Sequence, residues 1–319
     1  MPTHTRAARA LIAGFSDFQT GIEDSESDPF VVQQLLREQG KIMTGKKGTA
    51  YEWKLATGRG TVDAMSPEAR ADFTPVNPGV NLSLTNKGYK TADLVHEIDE
   101  KECSGRQGIF DLIENRLLWM PEAVGRGFNT DFYLDGTQTT YGTNAIIGAA
   151  GAIISSGTYA GQNVGTETAL AGQVSSAAPH TTFSTDPFPS LTTAFLSCYR
   201  GTESGAGQYK PTHCLMDVTN FSYILNAAND LRTTLQVEEK FGTQAVTFMG
   251  VKCIMDRFAV AARLFVLNMK YLEVHTPFDK FMQTRRQEQI SPLSVSLLCF
   301  FYGKLVFKLP RAFARITTA

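Results

Sequence analysis

The stretch RQGIFDLIENRLLWMPEAVGRGFNTDFYLDG, residues 106–136, places Ile109, Ile113, Leu117, Met120, Val124 and Phe128 three or four positions apart. Steps of that size keep side chains on one face of a helix, so 106–134 reads as the longest helix of the chain. Pro121 removes one backbone hydrogen bond within it, and a bend is expected there. Asp135-Gly136 has turn chemistry and closes the segment.

Upstream, the period changes from helical to alternating. Over 49–55, Tyr51, Trp53 and Leu55 share one face and Glu52 and Lys54 the other; Val80, Leu82 and Leu84 then alternate with Asn81, Ser83 and Thr85. About two dozen residues carrying Gly58, Gly60, Pro67, Pro75 and Pro78 separate the runs, which together read as a long two-stranded arm with an irregular tip. A lone ribbon is only marginally stable. Its apolar face, Tyr51, Trp53, Leu55, Val80, Leu82 and Leu84, is therefore expected to pack on an adjacent subunit. The alternative is that Trp53 packs within its own ribbon or against its own long helix. Further upstream, Asp28-Pro29 reads as an N-cap and first-turn proline for a short helix bearing Phe30, Val31, Leu35 and Leu36, which Gly40 ends.

Downstream, 137–190 is rich in Gly, Ala, Ser and Thr and reads as loops and short strands at the surface. A helix is expected over 191–200, a Gly-rich loop over 201–207, a strand over 213–217 and a helix over 220–229. Strands follow over 246–255, 264–268, 271–274 and 295–306. The last is apolar on both faces and belongs at a sheet centre. The fold class is α+β, without an internal repeat.

With 319 residues, 43% hydrophobic and 19% charged, the chain is a folded protein of one large or two medium domains. A formal charge of −1 argues against a dedicated nucleic-acid binder. Basic residues do gather towards the ends: Arg6 and Arg9, then Lys304, Lys308, Arg311 and Arg315. They are candidates for weak contact with DNA, the plainer reading being a solvated rim. The five cysteines, Cys103, Cys198, Cys214, Cys253 and Cys299, have no paired spacing and suit reduced thiols. No run approaches the length needed to span a bilayer and the N-terminus lacks a signal-like apolar core, so a cytosolic site of synthesis is expected, with no membrane partner.

The candidate catalytic and cofactor motifs fail on spacing or context. GKIMTGKK at 40–47 resembles a phosphate loop, but Lys47 stands where Ser or Thr is required and the loop follows a helix. Gly148, Gly151 and Gly157 lack the dinucleotide spacing and read as structural. His213 and Cys214 point to opposite faces of a strand, and His4, His96, His180 and His275 are isolated. Asp131 and Asp135, and the run Glu97, Asp99, Glu100 and Glu102, read as a solvated face. No catalytic, cofactor-binding or metal residue is assigned.

The order of segments resembles the major capsid proteins of tailed bacteriophages, with the Hong Kong 97 type of fold. The most specific strings are KPTHCLMD at 210–217 and FMGVKCIMD at 248–256, similar to two strands of that family, with LFVLNMKYLE at 264–273 and FYGKLV at 301–306 similar to its closing segments. The resemblance implies an N-terminal arm over 1–40, an extended loop over 41–95 and a spine helix over 104–135. It further implies a peripheral domain made of 96–140 and 265–319, and an axial domain over 141–264. It also implies a non-enzymatic subunit that assembles as hexamers and pentamers into an icosahedral shell around double-stranded DNA, formed in the host cytoplasm. A separate scaffolding protein, a portal and decoration proteins are the expected partners; the scaffold is expected because only about forty residues precede the extended loop. An encapsulin-like compartment shares the fold, and a cytosolic hydrolase is the alternative from another class.

Overall fold

The computed structural model describes residues 30–56, 79–96, 112–137, 144–176, 183–200, 209–230, 237–240, 243–261, 263–289 and 294–318. Arg6, Arg9, Asp28, Cys103, the acidic run from Glu97 to Glu102, His4, His180, the ribbon tip and the Gly-rich loop lie outside them.

Helix α1 (Val31–Glu38) buries Val31, Val32, Leu35 and Leu36; of the residues whose spacing marked it, Val31, Leu35 and Leu36 lie inside it and Phe30 stands at its N-cap. Its end is a Schellman motif: Lys41 N–H donates to the Leu36 carbonyl at 2.8 Å and Gly40 N–H to that of Arg37 at 3.0 Å, with Gly40 at φ +62°. Helix α2 (Leu112–Phe132) is the expected long helix; 106–111 fall outside the described residues, and Pro121 lies inside it. Met120, Val124 and Phe128 are buried and the stripe continues to Phe132. The two helices touch where the Gln33 side-chain amide donates to the Gly125 carbonyl at 3.2 Å.

Two sheets flank α2. The first joins β1 (Ile42–Met43), β13 (Leu272–His275), β15 (Ser294–Phe307) and β14 (Gln283–Gln289), with β4 (Lys87–His96) also on β15. Strand β15 is central, as its two apolar faces required: β4 and β14 flank its first part and β13 its last. Its aromatic side chains meet α2, where Phe128 stands edge-on to Phe301 at 5.2 Å and Phe281 lies 4.8 Å from Phe301. Fully burying one such ring stabilises by roughly 1.5–3 kcal/mol.

Beyond the short hairpin of β5 (Thr158–Tyr159) and β6 (Gln162–Asn163), the second sheet has seven strands in the order β7 (Gln173–Ser176), β16 (Ala314–Thr317), β12 (Arg263–Leu267), β8 (His213–Met216), β11 (Val251–Met255), β10 (Thr243–Phe248) and β9 (Val237–Lys240). Helices α4 (Pro187–Arg200) and α5 (Val218–Asp230) cover one face with Phe195, Phe221 and Ile224 against Met216, Val251, Leu264 and Ile316. Leu215, Ile254, Phe265 and Leu267 belong to the core that contains α2. Strand β8 sits at the centre, buried at every residue. The turn into α5 is capped by Asp217, whose carboxylate accepts from Thr219 N–H at 3.1 Å.

Four expectations need correction. The run 246–255 is a hairpin rather than one strand: Met249 at φ +51° and Gly250 at φ +75° form a two-residue turn between β10 and β11. Residues 41–95 are not all extended loop, because β1 pairs with β13 and β4 lies along β15 for ten residues. Residues 265–319 do not all belong with the first sheet, since β12 and β16 pair with each other in the second. Finally, much of 144–171 is core. Ala149, Ala150 and Ala152 of the short helix α3 (Ala149–Ala152) are buried, as are Ile146 and Ile153. Gly148 makes this approach possible: a Cβ there would lie 2.2 Å from the Asp131 carbonyl and 2.4 Å from that of Phe132.

Candidate intersubunit surface

Strands β2 (Ala50–Leu55) and β3 (Val80–Thr85) pair in the register Tyr51 with Leu84, Trp53 with Leu82 and Leu55 with Val80, so the six expected residues do share one face. Glu52 and Lys54 are exposed on the other. The apolar face, however, is turned onto its own subunit. Leu82 is fully buried and Leu84 nearly so, while Tyr51, Trp53 and Leu55 pack against the same core. The Trp53 indole N–H donates to the Lys308 carbonyl at 3.2 Å, and Ser83 N–H to the Ala160 carbonyl at 3.1 Å. The expectation that these six residues meet an adjacent subunit is thereby corrected for Leu82 and Leu84, which have no surface left to offer. A lone ribbon needs a covering layer, and the first sheet supplies it from within the chain.

Beneath Tyr51 and Trp53 lies a group of charges. Glu273 accepts from the Lys308 ammonium at 2.6 Å and pairs with His275 Nε2 at 2.9 Å. The Tyr51 and His275 rings meet edge-on at 4.2 Å, and the Lys304 ammonium lies 5.9 Å from the Tyr51 ring centre. Burial raises the Glu273 carboxyl, but the bonds from Lys308 and His275 outweigh it and leave it below the usual range. Burial lowers the His275 imidazole; the bond to Glu273 and its charge oppose this, Lys308 and Lys304 add to the lowering, and the net shift is downward. His275 is thus not isolated; its partner stands two residues away on the same strand face.

The four described basic candidates are also committed to the fold. Lys304 and Arg311 are buried, Lys308 is paired with Glu273, and Arg315 donates to the Ala150 carbonyl at 3.1 Å. A cation must present its charge to a phosphate to bind it, and Lys304 and Arg311 do not. Asp131 corrects the reading of a solvated face: it is buried and accepts from the Tyr89 hydroxyl at 2.7 Å. Burial raises its carboxyl and the Tyr89 bond partly opposes this.

Among the described residues, large apolar side chains are exposed on both sheet units. Leu94 on β4, Trp119 on α2 and Tyr302 on β15 are exposed in the first, and Leu196 on α4, Val218 on α5 and Met249 at the hairpin turn in the second. Sequence reasoning missed them. The signal for Trp119 was its position off the Met120, Val124 and Phe128 stripe. Between α2 and the first sheet runs a groove of about 1060 Å³ whose cations are Lys87, Lys90 and Arg285. Among the described residues no group of three His, Cys, Asp or Glu is placed to hold a metal, and no helix is long and apolar enough to cross a membrane. Burial pushes the Cys198 thiol up to about 12, away from the thiolate that nucleophilic chemistry needs.

No protein-family model matches the chain, and no curated protein matches it by sequence. Solved structures do. The capsid asymmetric unit of cyanophage A-1(L) superposes with a TM-score of 0.74 at 14% identity, over 95% of this chain and 96% of that one. The chain has the fold of a tailed-phage capsid protein. The capsid of Myoviridae phage XM1 carries the same fold with a TM-score of 0.60 at 12% identity, over 98% of each chain. So does the SrpI encapsulin of Synechococcus elongatus PCC 7942, with a TM-score of 0.64 at 12% identity over 100% of this chain and 96% of that one. The α+β class is as expected.

Proposed function

We propose that the chain is the major capsid subunit of a tailed phage, a non-enzymatic protein that assembles in the host cytoplasm as hexamers and pentamers into an icosahedral shell around double-stranded DNA. The observation that carries this reading is the end-to-end correspondence with the cyanophage A-1(L) capsid chain. The α2 unit with the first sheet then forms the peripheral domain and the seven-stranded sheet with α4 and α5 the axial domain. The exposed apolar residues support it: in a closed symmetric shell the same modest contacts recur around every axis, and Trp119 has the character of an interface anchor. The ribbon remains a proposed contact, through parts its own subunit leaves open rather than through Leu82 and Leu84. A scaffold, a portal and decoration proteins are proposed partners, and DNA contact is proposed to be weak.

Trp119→Glu tests the surface. The subunit should keep its far-UV circular dichroism yet fail to sediment as shells; particles of unchanged stability would reject Trp119 as a contact. The second reading, a compartment shell, is favoured by the SrpI likeness. Particles from the native source decide between the two, since a phage head holds nuclease-protected duplex DNA and a compartment holds a packaged protein.

A further inference from the structure

The sheet face under β2 carries Glu273, His275, Lys304 and Lys308, whereas Leu272, Val274, Leu305 and Phe307 on the opposite face belong to the core. Such a layer is a poor choice for permanent burial, because desolvating ion pairs offsets most of their attraction. It is a good choice for a surface that is sometimes covered and sometimes wet. The covering residues are also amphipathic: Tyr51 and Trp53 stack on each other at 5.6 Å and are only half-buried.

We propose that this seat is a pH-sensitive hinge for the ribbon, in which protonation of His275 lifts Tyr51 and Trp53 from the sheet. The geometry supplies the trigger. His275 is almost fully buried and donates through Nε2 to Glu273, which leaves Nδ1 as a bare lone pair with no partner. A proton added at Nδ1 meets no acceptor. The titratable and charged groups facing the ring are Glu273 from its own strand, Lys304 and Lys308 from β15 and Tyr51 from β2. On the remaining neighbour, β1, the residue paired with His275 is Met43. Two of those groups are cations, so an imidazolium would be a third positive charge around one carboxylate that Lys308 already engages. The ring gains solvation, and its charge is relieved, only when β2 moves away.

The direction follows from linkage. The seated His275 binds its proton more weakly than an exposed histidine, whose ordinary value is 6.5. The seat therefore contributes its full stability above that value and loses it as pH falls below it, through the lowered value of the seated ring. Glu273, lowered in the seat, adds to the loss only at more acidic pH, below its ordinary 4.5.

The test uses Trp53 as reporter in a Trp119→Phe background, since the chain has two tryptophans. Its emission is followed from pH 8 to pH 4.5 with far-UV circular dichroism alongside. A reversible red shift below pH 6.5 at constant dichroism is expected, and its loss in His275→Gln, which keeps a donor to Glu273 but does not titrate. Should that variant fail to fold, Lys304→Met carries the test: removing one cation eases protonation and moves the midpoint to higher pH. The same acid shift in His275→Gln, a midpoint unmoved in Lys304→Met, or emission that stays flat until the dichroism collapses would each overturn the proposal.

Discussion

Tyr133→Phe removes one oxygen atom from the junction between the end of α2 and the second sheet. The Tyr133 hydroxyl donates to Asp256 Oδ2 at 2.6 Å, and both residues are fully buried. Burial raises the tyrosine well above its ordinary range, with the neighbouring Asp256 charge adding to it, so the hydroxyl stays a donor at any accessible pH. The substitution leaves the ring packed on Phe265 at 5.6 Å and opens no cavity larger than a hydroxyl. The loss is then that of a bond to a charged acceptor, together with part of the desolvation of the carboxylate left behind. Bonds of that kind are worth about 1.5–3 kcal/mol, and because Asp256 retains Phe258 N–H at 3.0 Å on its other oxygen, about 2–3 kcal/mol is the expected cost. That is roughly a 30- to 150-fold change in the folding equilibrium. Urea unfolding of the dilute subunit, followed by circular dichroism, should show a lowered midpoint with an unchanged slope. A loss under about 0.5 kcal/mol would refute the view that this bond ties the helix to the sheet.

Other outcomes follow from single positions. Asp131→Asn should gain stability over the native protein at neutral pH, because a carboxyl raised by burial favours the fold less as pH rises past its ordinary 3.8; the advantage should shrink in acid, and a constant difference from pH 3 to 8 would argue against it. Gly148→Ala should abolish soluble folded protein, since the new Cβ has carbonyl oxygens at 2.2, 2.4 and 2.6 Å; a melting temperature within a few degrees of the parent, the change expected for about 1 kcal/mol, is the contrary result. Met249→Asn should stabilise by about 1 kcal/mol, as asparagine accepts the left-handed backbone that methionine adopts there at φ +51°, and a lowered urea midpoint would show the turn is not strained.

The parts legible in the sequence are those where one pattern decided the outcome. The Met120, Val124 and Phe128 stripe fixed α2, the two-sided apolar run fixed β15 as a central strand, and the alternation of Tyr51, Trp53, Leu82 and Leu84 marked the two strands of the ribbon, though not the register in which they pair. Strand β4 was hidden because KGYKTADLVH has little apolar alternation; its ten-residue pairing is imposed by β15. The hairpin at 249–250 was hidden because Met249 is not a turn former, and its strain is absorbed by the pairing on either side. Where the ribbon's apolar face would go was not legible either. Period 2 says that a face is buried, not whose surface buries it. Lys304 and Arg311 misled for a related reason: their long stems allow charged residues to be built into a fold, and only the tertiary arrangement shows that Glu273 waits for Lys308.

Everything proposed for this chain depends on its copies closing into a shell. Electron microscopy of the purified full chain, expressed alone and again with a candidate scaffold, tests it most directly. Hexameric and pentameric capsomers or closed icosahedral particles are expected. A monodisperse monomer at high concentration, with no particles under either condition, would contradict it.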